Sequence, residues 1–391
     1  MIYPKLIVNK KNWNYLYHLW HTEKLPHALL FHGPEGSGKE GHAIELAALL
    51  NCLSPHDNFP CGTCSSCKQT KTFQHGNVKL IVPLPRGKIT SKDDPVMKAF
   101  STSTLQDYLN ILKKKAEDPY LPILIPSANT ILINSIRELK HDVSLSNLDN
   151  GWRIILIFQA EKLCIPNPDA AHALLKLLEE PPDRTVFFLV SSHSNAILDT
   201  IHSRCQNLYF PTISSQWIEK QFIIDGTDPD KASVIARISG GNICLSKVLI
   251  NNFTDLMDQL NILLKAFFSN DPNNWQYGID VTNQLKNKGQ DKLHHLFRCM
   301  LLFFRDLLYY NSTGVDDGLV YIDQFSKIDN LCKSYPNADW EQCIHHINNT
   351  HNNIIRNGFV PLMILTLIID IQKSIKGNFH QSFCIENRIT A

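Results

Sequence analysis

Short apolar runs alternate with helical patterns through the first half of the chain. Continuous apolar runs predict five strands, at 28–31, 78–82, 153–158, 185–190 and 208–210. Because such runs leave no polar face, they are typical of strands covered on both sides and hence of a largely parallel sheet. The segment 39–50 carries its apolar residues at helical spacing on one face, so it predicts a helix directly after the first strand. Residues 1–212 therefore predict an α/β domain.

A second helix is predicted between the strands at 153–158 and 185–190. Asn167-Pro168-Asp169 supplies an N-cap, a proline at the first helical position and an acid in the first turn. Leu174, Leu175, Leu177 and Leu178 form its apolar stripe, and Pro181-Pro182 ends it.

The remainder of the chain has helical periodicity. Residues 213–251 predict a small helical domain with breaks at Gly226 and Gly240-Gly241, and 252–391 predict a third, all-α domain. Its clearest helical patterns cover 256–268, 292–310 and 361–375.

Residues 86–125 differ from the rest of the α/β region because they are polar and rich in Lys, Asp and Ser. We interpret them as an insertion around one helix at 105–116. Within it, Lys113–Lys115 are expected to form a solvated face, with contact to DNA as the alternative.

Composition narrows the protein class. The chain has 391 residues, of which 43% are hydrophobic and 19% charged, with a formal net charge of +1, so it is folded and globular and has no overall field for nucleic acid. No secretory signal is recognisable, and the longest uncharged apolar stretch, 357–369, is too short to span a bilayer. A cytoplasmic protein is expected, and eleven scattered and clustered cysteines suit a reducing compartment.

The segment Gly33-Pro34-Glu35-Gly36-Ser37-Gly38-Lys39-Glu40 fits the phosphate-loop pattern through its lysine and departs from it at the last position. Glycines allow backbone N–H groups to face a polyphosphate, and Lys39 would reach the outer phosphates. Glu40 stands where a hydroxyl would bind Mg²⁺. Two interpretations remain open: weak nucleotide binding, or a loop that keeps its shape without function.

An ATPase of this kind also needs acids at the end of a central strand. Phe158 and Gln159 occupy the two expected positions, and Glu161, two residues further on, is expected to be solvated. The departures at Glu40, Phe158 and Gln159 together predict that this chain does not hydrolyse ATP.

Four cysteines, Cys52, Cys61, Cys64 and Cys67, lie within 16 residues. Two linked C-x-x-C turns and one more distant thiol can surround a tetrahedral Zn²⁺ with no open position, which predicts a structural zinc site. Lys71 and Thr72 stand where a ferredoxin pattern needs cysteine and proline, so an iron–sulfur cluster is disfavoured. Free or redox-paired thiols are the alternative.

These features together resemble the bacterial clamp-loader ATPase family. The resemblance is carried by residues 26–30, the phosphate loop, the four cysteines, the run 173–182 (ALLKLLEEPP) and Ser203-Arg204-Cys205, and it covers about 25–249. It implies an α/β P-loop AAA+ module with a parallel sheet, a small helical lid and an all-α C-terminal collar domain. In the lid, Cys244 stands where the family has a sensing arginine.

The resemblance implies a partner role for the chain in a ring. Its partners would be the gamma/tau and delta subunits, the sliding clamp and, through the assembled ring, primer-template DNA, with no membrane contact. Arg204, which in isolation reads as a surface ion pair, would with Ser203 and Cys205 form an arginine finger toward a neighbour's ATP. One rival is an active gamma/tau-like ATPase, and another is a zinc-containing nucleic-acid-binding module with a vestigial sheet, which the net charge disfavours.

Overall fold

The structure is a computed structural model that describes residues 1–91, 93–144, 151–356 and 358–376. The chain divides into two compact units, one made of 1–214 with 241–245 and the other of 215–240 with the residues from 246 onward. The C-terminal end of the predicted third domain, 377–391, lies outside the described residues. The division of the helical part into a lid (213–251) and a collar (252–391) stays a prediction.

The first unit contains a five-stranded sheet. Its strands are β1 (Ala28–His32), β2 (Val78–Ile81), β3 (Arg153–Phe158), β4 (Thr185–Ser191) and β5 (Gln206–Tyr209). Their order is β2-β3-β4-β1-β5 and every pair is parallel, which confirms the predicted parallel sheet. Because all strands run the same way, their carboxyl ends meet at one edge, where ligand sites of open α/β sheets lie.

Helices cover this sheet. They are α1 (Lys10–His21), α2 (Lys39–Leu50), α3 (Ser65–Lys71), α4 (Thr102–Glu117), α5 (Ile133–Ser144), α6 (Asp169–Glu179) and α7 (Asp199–His202). Leu174 and Leu178 of α6 pack with Ile155 of β3 and Leu189 of β4 in one core cluster. Pro168, expected at the first helical position, is instead the N-cap of α6. The helix predicted at 105–116 lies within α4.

The described part of the second unit consists of helices and connecting segments and contains no strand. They are α8 (Ser215–Ile224), α9 (Pro229–Ser239), α10 (Ile243–Phe268, from Ser246 onward), α11 (Pro272–Lys288), α12 (Gln290–Thr313), α13 (Phe325–Ser334), α14 (Trp340–Ile355) and α15 (Val360–Ile375). Phe304 contacts Phe267 and Trp340 in its core. No helix within the described ranges is long and apolar enough to cross a membrane.

Candidate nucleotide, metal and arginine sites

The predicted phosphate loop lies between β1 and α2, as its sequence context requires. Gly33, Gly36 and Gly38 have φ values of 144°, 70° and 82°, which disfavour any residue with a Cβ. A Cβ would also collide: on Gly33 it would lie 2.1 Å from Phe210 O, and on Gly36 2.2 Å from Asn242 Oδ1. The glycines are therefore needed for packing as well as for loop shape.

The side chain of Lys39 is folded back into this loop. Its Nζ donates to Gly33 O at 2.8 Å and to Pro34 O at 2.6 Å, and lies 3.2 Å from Ser192 Oγ. The residue is 5% exposed, and burial lowers the pKa of Lys39 to about 8, although nearby carboxylates oppose that shift. The ammonium is thus satisfied by carbonyls of its own loop.

Glu40 forms an ion pair with Lys115 of α4. The Lys115 side chain is fully buried; its Nζ also donates to Pro119 O at 2.8 Å and lies 5.8 Å from the ring centroid of Phe158. For Lys115, the expectation of a solvated face, with DNA contact as its alternative, is therefore wrong, whereas Lys113 and Lys114 are exposed. Helical spacing puts Lys115 on a different face of α4 from its neighbours, and Glu40 supplies the charge that allows its burial.

The end of β3 holds the other two departures from the ATPase pattern. Phe158 is fully buried, and Gln159 donates from Nε2 to Ile123 O at 2.8 Å. Glu161, which was expected to be solvated, is 7% exposed and accepts a hydrogen bond from Ser191 Oγ at 2.6 Å. A 3₁₀ turn, Ala160–Cys164, follows β3, and this bond ties Glu161 to the end of β4.

A cleft of about 550 Å³ lies at this edge of the sheet. The phosphate loop, the segment 119–124, the ends of β3 and β4, and Cys244 line it. Because Glu40 is paired with Lys115 and Lys39 with loop carbonyls, these groups are available to Mg²⁺ or phosphate only if the present contacts break. The residues of the cleft do not fit a Mg²⁺-nucleotide in this arrangement.

The four cysteines predicted to bind metal come together beside α3. Their Sγ atoms all lie within 4.8 Å of one another; Cys61 and Cys67 are 3.9 Å apart, and Cys52 and Cys67 are 3.6 Å apart. Zn–S bonds of about 2.3 Å in a tetrahedron require S–S separations of about 3.8 Å, so this donor set fits a closed tetrahedral site. None of the four thiols forms a disulfide in the structure.

Backbone N–H groups support the same cluster. The N–H of Cys61 donates to Cys52 Sγ at 3.2 Å, and that of Cys64 donates to Cys61 Sγ at 3.4 Å, which lowers the pKa of Cys61 to about 5. Cys64 is the N-cap of α3 and accepts from Cys67 N at 3.4 Å. For Cys61 these bonds favour the thiolate form that a metal requires, whereas burial raises the pKa of Cys52 and of Cys67.

Ser203-Arg204-Cys205 forms the turn between α7 and β5. Cys205 faces the core, where burial raises its pKa to about 12, and Ser203 Oγ donates to Thr200 O at 3.1 Å. Arg204 points outward and is 34% exposed; its Nη2 donates to Glu179 Oε1 at 2.6 Å and its Nη1 to Thr200 O at 2.9 Å. Two motifs of the sequence, the acidic pair at the end of α6 and the arginine triplet, therefore meet at the protein surface.

Three contacts at the nucleotide loop had no sequence signal. Lys115 is the last of three lysines, Tyr120 follows a proline in a polar segment, and Ser192 is one of several serines after a strand. None belongs to a spacing pattern, because each meets its partner through the tertiary fold.

Comparison with known proteins places this geometry in a family. A family profile described as "DNA polymerase III, delta subunit" matches residues 8–214. The chain is 26% identical over 358 residues to DNA polymerase III subunit delta' of Bacillus subtilis, covering 90% of this chain and 94% of that protein.

The chain is also similar to two further proteins. DNA polymerase III subunit tau of Bacillus subtilis is 23% identical over 355 residues, which are 85% of this chain and 54% of tau. A solved structure of a DNA polymerase III gamma-subunit-related protein from Thermotoga maritima aligns over 93% of this chain and 99% of that one, at 13% identity and a TM-score of 0.35. With the profile match over more than half of the sequence, the chain belongs to the DNA polymerase III delta-subunit family, among the delta' subunits of the clamp loader.

Proposed function

We propose that this chain is a non-hydrolysing subunit of the clamp loader and that it completes a neighbour's ATPase site with Arg204. In this role it helps an ATP-driven ring to place the sliding clamp on primer-template DNA during replication. The observation that carries the proposal is the position of Arg204: a core-facing cysteine holds its backbone, while its guanidinium lies at the surface.

The chemistry of the finger follows from this position. An arginine presented across a subunit boundary neutralises charge that develops on the transferred phosphoryl group, an effect worth about 10³–10⁵ in rate in comparable systems. The exposed pair with Glu179 is worth about 0–1 kcal/mol, so a phosphate of a neighbouring subunit can replace Glu179 at little cost.

The absence of hydrolysis rests on the three departures. Glu40 is paired with Lys115, and neither Phe158 nor Gln159 offers a carboxylate to hold Mg²⁺ or polarise water. The active gamma/tau-like alternative requires those groups and is therefore not favoured. We therefore propose that the chain by itself is not an enzyme.

The expected partners follow from family membership and belong to the same proposal. They are the gamma/tau and delta subunits, the sliding clamp and DNA held by the assembled ring, all in the cytoplasm. The four-cysteine cluster is proposed to bind one structural Zn²⁺, with all four ligand positions taken by Cys52, Cys61, Cys64 and Cys67.

Reconstitution of the ring tests the finger. Arg204→Ala should lower the DNA- and clamp-stimulated ATPase as if one site were silenced, and should lower clamp loading more because the ring acts as a unit. Arg204→Lys should rescue poorly, since an ammonium lacks the planar fork that meets two phosphate oxygens. Arg137→Ala is the matched control, because Arg137 also forms an exposed ion pair, with Asp93. A ring with Arg204→Ala that works at the parental rate would refute the finger.

The isolated chain provides the second test. It should hydrolyse ATP no faster than background, and Lys39→Ala should leave that background unchanged. Turnover that disappears in the Lys39→Ala variant would show that the chain is itself an ATPase.

A further inference from the structure

The three residues that depart from the ATPase pattern all contact the same short segment of the chain. Glu40 pairs with Lys115, Phe158 lies beside the same ammonium, and Gln159 donates to Ile123 O at 2.8 Å. Lys115 and Ile123 belong to one stretch of chain, which also contributes Pro119, Tyr120, Pro122 and Leu124 to the cleft. This stretch, 115–124, is called the inserted segment below.

Charge explains the first contact. Glu40 offers a carboxylate in place of the Mg²⁺-binding hydroxyl, and the inserted segment pairs that carboxylate with a cation from within the chain. The Lys115 side chain is fully buried and its Nζ has a second acceptor, Pro119 O, at 2.8 Å. The ammonium thus stands next to the residue that replaces the Mg²⁺-binding hydroxyl.

The inserted segment also makes steric contact with α2. Tyr120 and Pro119 lie against the first turn of α2, where backbone N–H groups of a phosphate loop meet phosphate. A Cβ on Gly38 would lie 3.1 Å from Tyr120 Cε1, and one on Gly41 would lie 2.9 Å from Pro119 Cβ. The inserted segment therefore packs directly on the helix end that would receive a nucleotide.

Hydrogen bonds hold the segment there from several directions. Tyr120 Oη accepts from Ile7 N at 2.7 Å, and Cys244 Sγ donates to Tyr120 O at 2.7 Å. Tyr3 Oη donates to Lys115 O at 3.1 Å. The segment is joined to the N-terminal residues, to α2 and to the segment 241–245, all within the first unit.

We propose that the inserted segment is a built-in occupant of the nucleotide site. It pairs with the residue at the Mg²⁺-binding position and packs against the first turn of α2, so the site excludes nucleotide as well as failing to cleave it. The insertion and the changes at Glu40, Phe158 and Gln159 then form one device. This inference does not depend on the role of Arg204, because it concerns binding by the isolated chain.

Binding of a fluorescent ATP analogue (mant-ATP) with Mg²⁺ to the full-length chain tests the proposal. The parental chain should show no saturable binding up to about 1 mM, whereas Glu40→Thr combined with Lys115→Met should bind at least about tenfold more tightly than that limit. Glu180→Thr combined with Lys114→Met is the matched control, since it makes the same chemical changes at exposed positions away from the cleft. Lys39→Ala added to the first combination should abolish the binding gained.

Saturable binding by the parental chain below about 100 µM would overturn the proposal. So would a Glu40→Thr, Lys115→Met chain that keeps its metal content and circular dichroism yet fails to bind. Hydrogen exchange on the parental chain gives an answer even if that variant does not fold: amides at 38–41 and 116–124 should be protected without nucleotide and unchanged by about 1 mM Mg-ATP. Fast exchange across 116–124 would contradict a permanent occupant.

Discussion

Two cation–carboxylate pairs of the first unit have similar chemistry and different surroundings. Lys115 pairs with Glu40 at a position where its side chain is fully buried, whereas Arg204 pairs with Glu179 with 34% of its side chain exposed. Breaking a buried pair by removing one partner costs about 3–5 kcal/mol, because the other charge stays buried, while an exposed pair contributes about 0–1 kcal/mol. Burial therefore makes the first pair permanent and leaves the second free to exchange partners.

This difference in burial gives opposite roles to Lys115 and Arg204, two cations that the sequence alone would place at the surface. The buried cation closes a site inside its own chain. The exposed cation remains available to a phosphate on another subunit. The predictions below test each side of this contrast.

The largest effect is expected when a cysteine of the four-cysteine cluster is replaced. Protein purified without chelator should contain about one equivalent of zinc, and Cys64→Ser should lose it, because structural zinc sites contribute about 10–16 kcal/mol of binding free energy. Metal analysis by mass spectrometry measures both. Cys332→Ser, at a thiol outside the cluster, serves as the control. Less than half an equivalent in the parental protein would rule out the site.

The second-largest effect is expected when the buried cation, Lys115, is removed. Lys115→Met should lower the free energy of unfolding by about 3 kcal/mol, since Glu40 would keep its charge without a partner. Lys114→Met should change it by less than about 0.5 kcal/mol, because Lys114 is exposed on the same helix. Urea unfolding measures both, and adding Glu40→Met to Lys115→Met should recover part of the loss. Equal effects of the two lysine substitutions would remove the basis of the contrast.

Removal of the exposed cation should have a small effect on folding. Arg204→Ala should lower the free energy of unfolding by less than about 1 kcal/mol in the same urea experiment. A larger loss would mean that Arg204 is a packing residue, and its effect in the ring would then need another explanation.

The smallest effect is expected for the carboxylate beside Arg204. Glu179→Gln keeps the shape of the side chain and removes the competing charge, so it should change the ATPase of the reconstituted ring by less than about threefold. Glu180→Gln, one residue later, is the control. A loss of ATPase rate as large as that caused by Arg204→Ala would show that Glu179 positions the guanidinium, in addition to forming an ion pair with it.

Much of the α/β architecture could be predicted from local pattern. The strand at 153–158 has the predicted ends, and the ends of the other four strands lie within one or two residues of their predicted runs. This worked because buried parallel strands carry apolar residues on both faces, which leaves a signal in consecutive positions. Glycine and proline marked the loop after β1 and the end of α6 for equally local reasons.

The contacts of the inserted segment could not be predicted in this way. Lys115 meets Glu40 across 75 positions of sequence, and Tyr120 meets Cys244 across 124. A lysine in a run of three is typical of a solvated face, and nothing in the run distinguishes the residue that turns inward. The burial of Glu161 could not be predicted for the same reason, because its contact is with Ser191, 30 positions away at the end of β4.

The glycines of the loop carry a consequence for how its signature persists through evolution. Gly33 is pressed against the carbonyl of Phe210 and Gly36 against the side chain of Asn242, and neither contact involves a nucleotide. Replacing either glycine would disturb the fold even in a chain that never binds ATP. Selection on folding alone is then sufficient to preserve the glycines of a phosphate loop, and Glu40, which pairs with Lys115, is the position at which this chain departs from that signature.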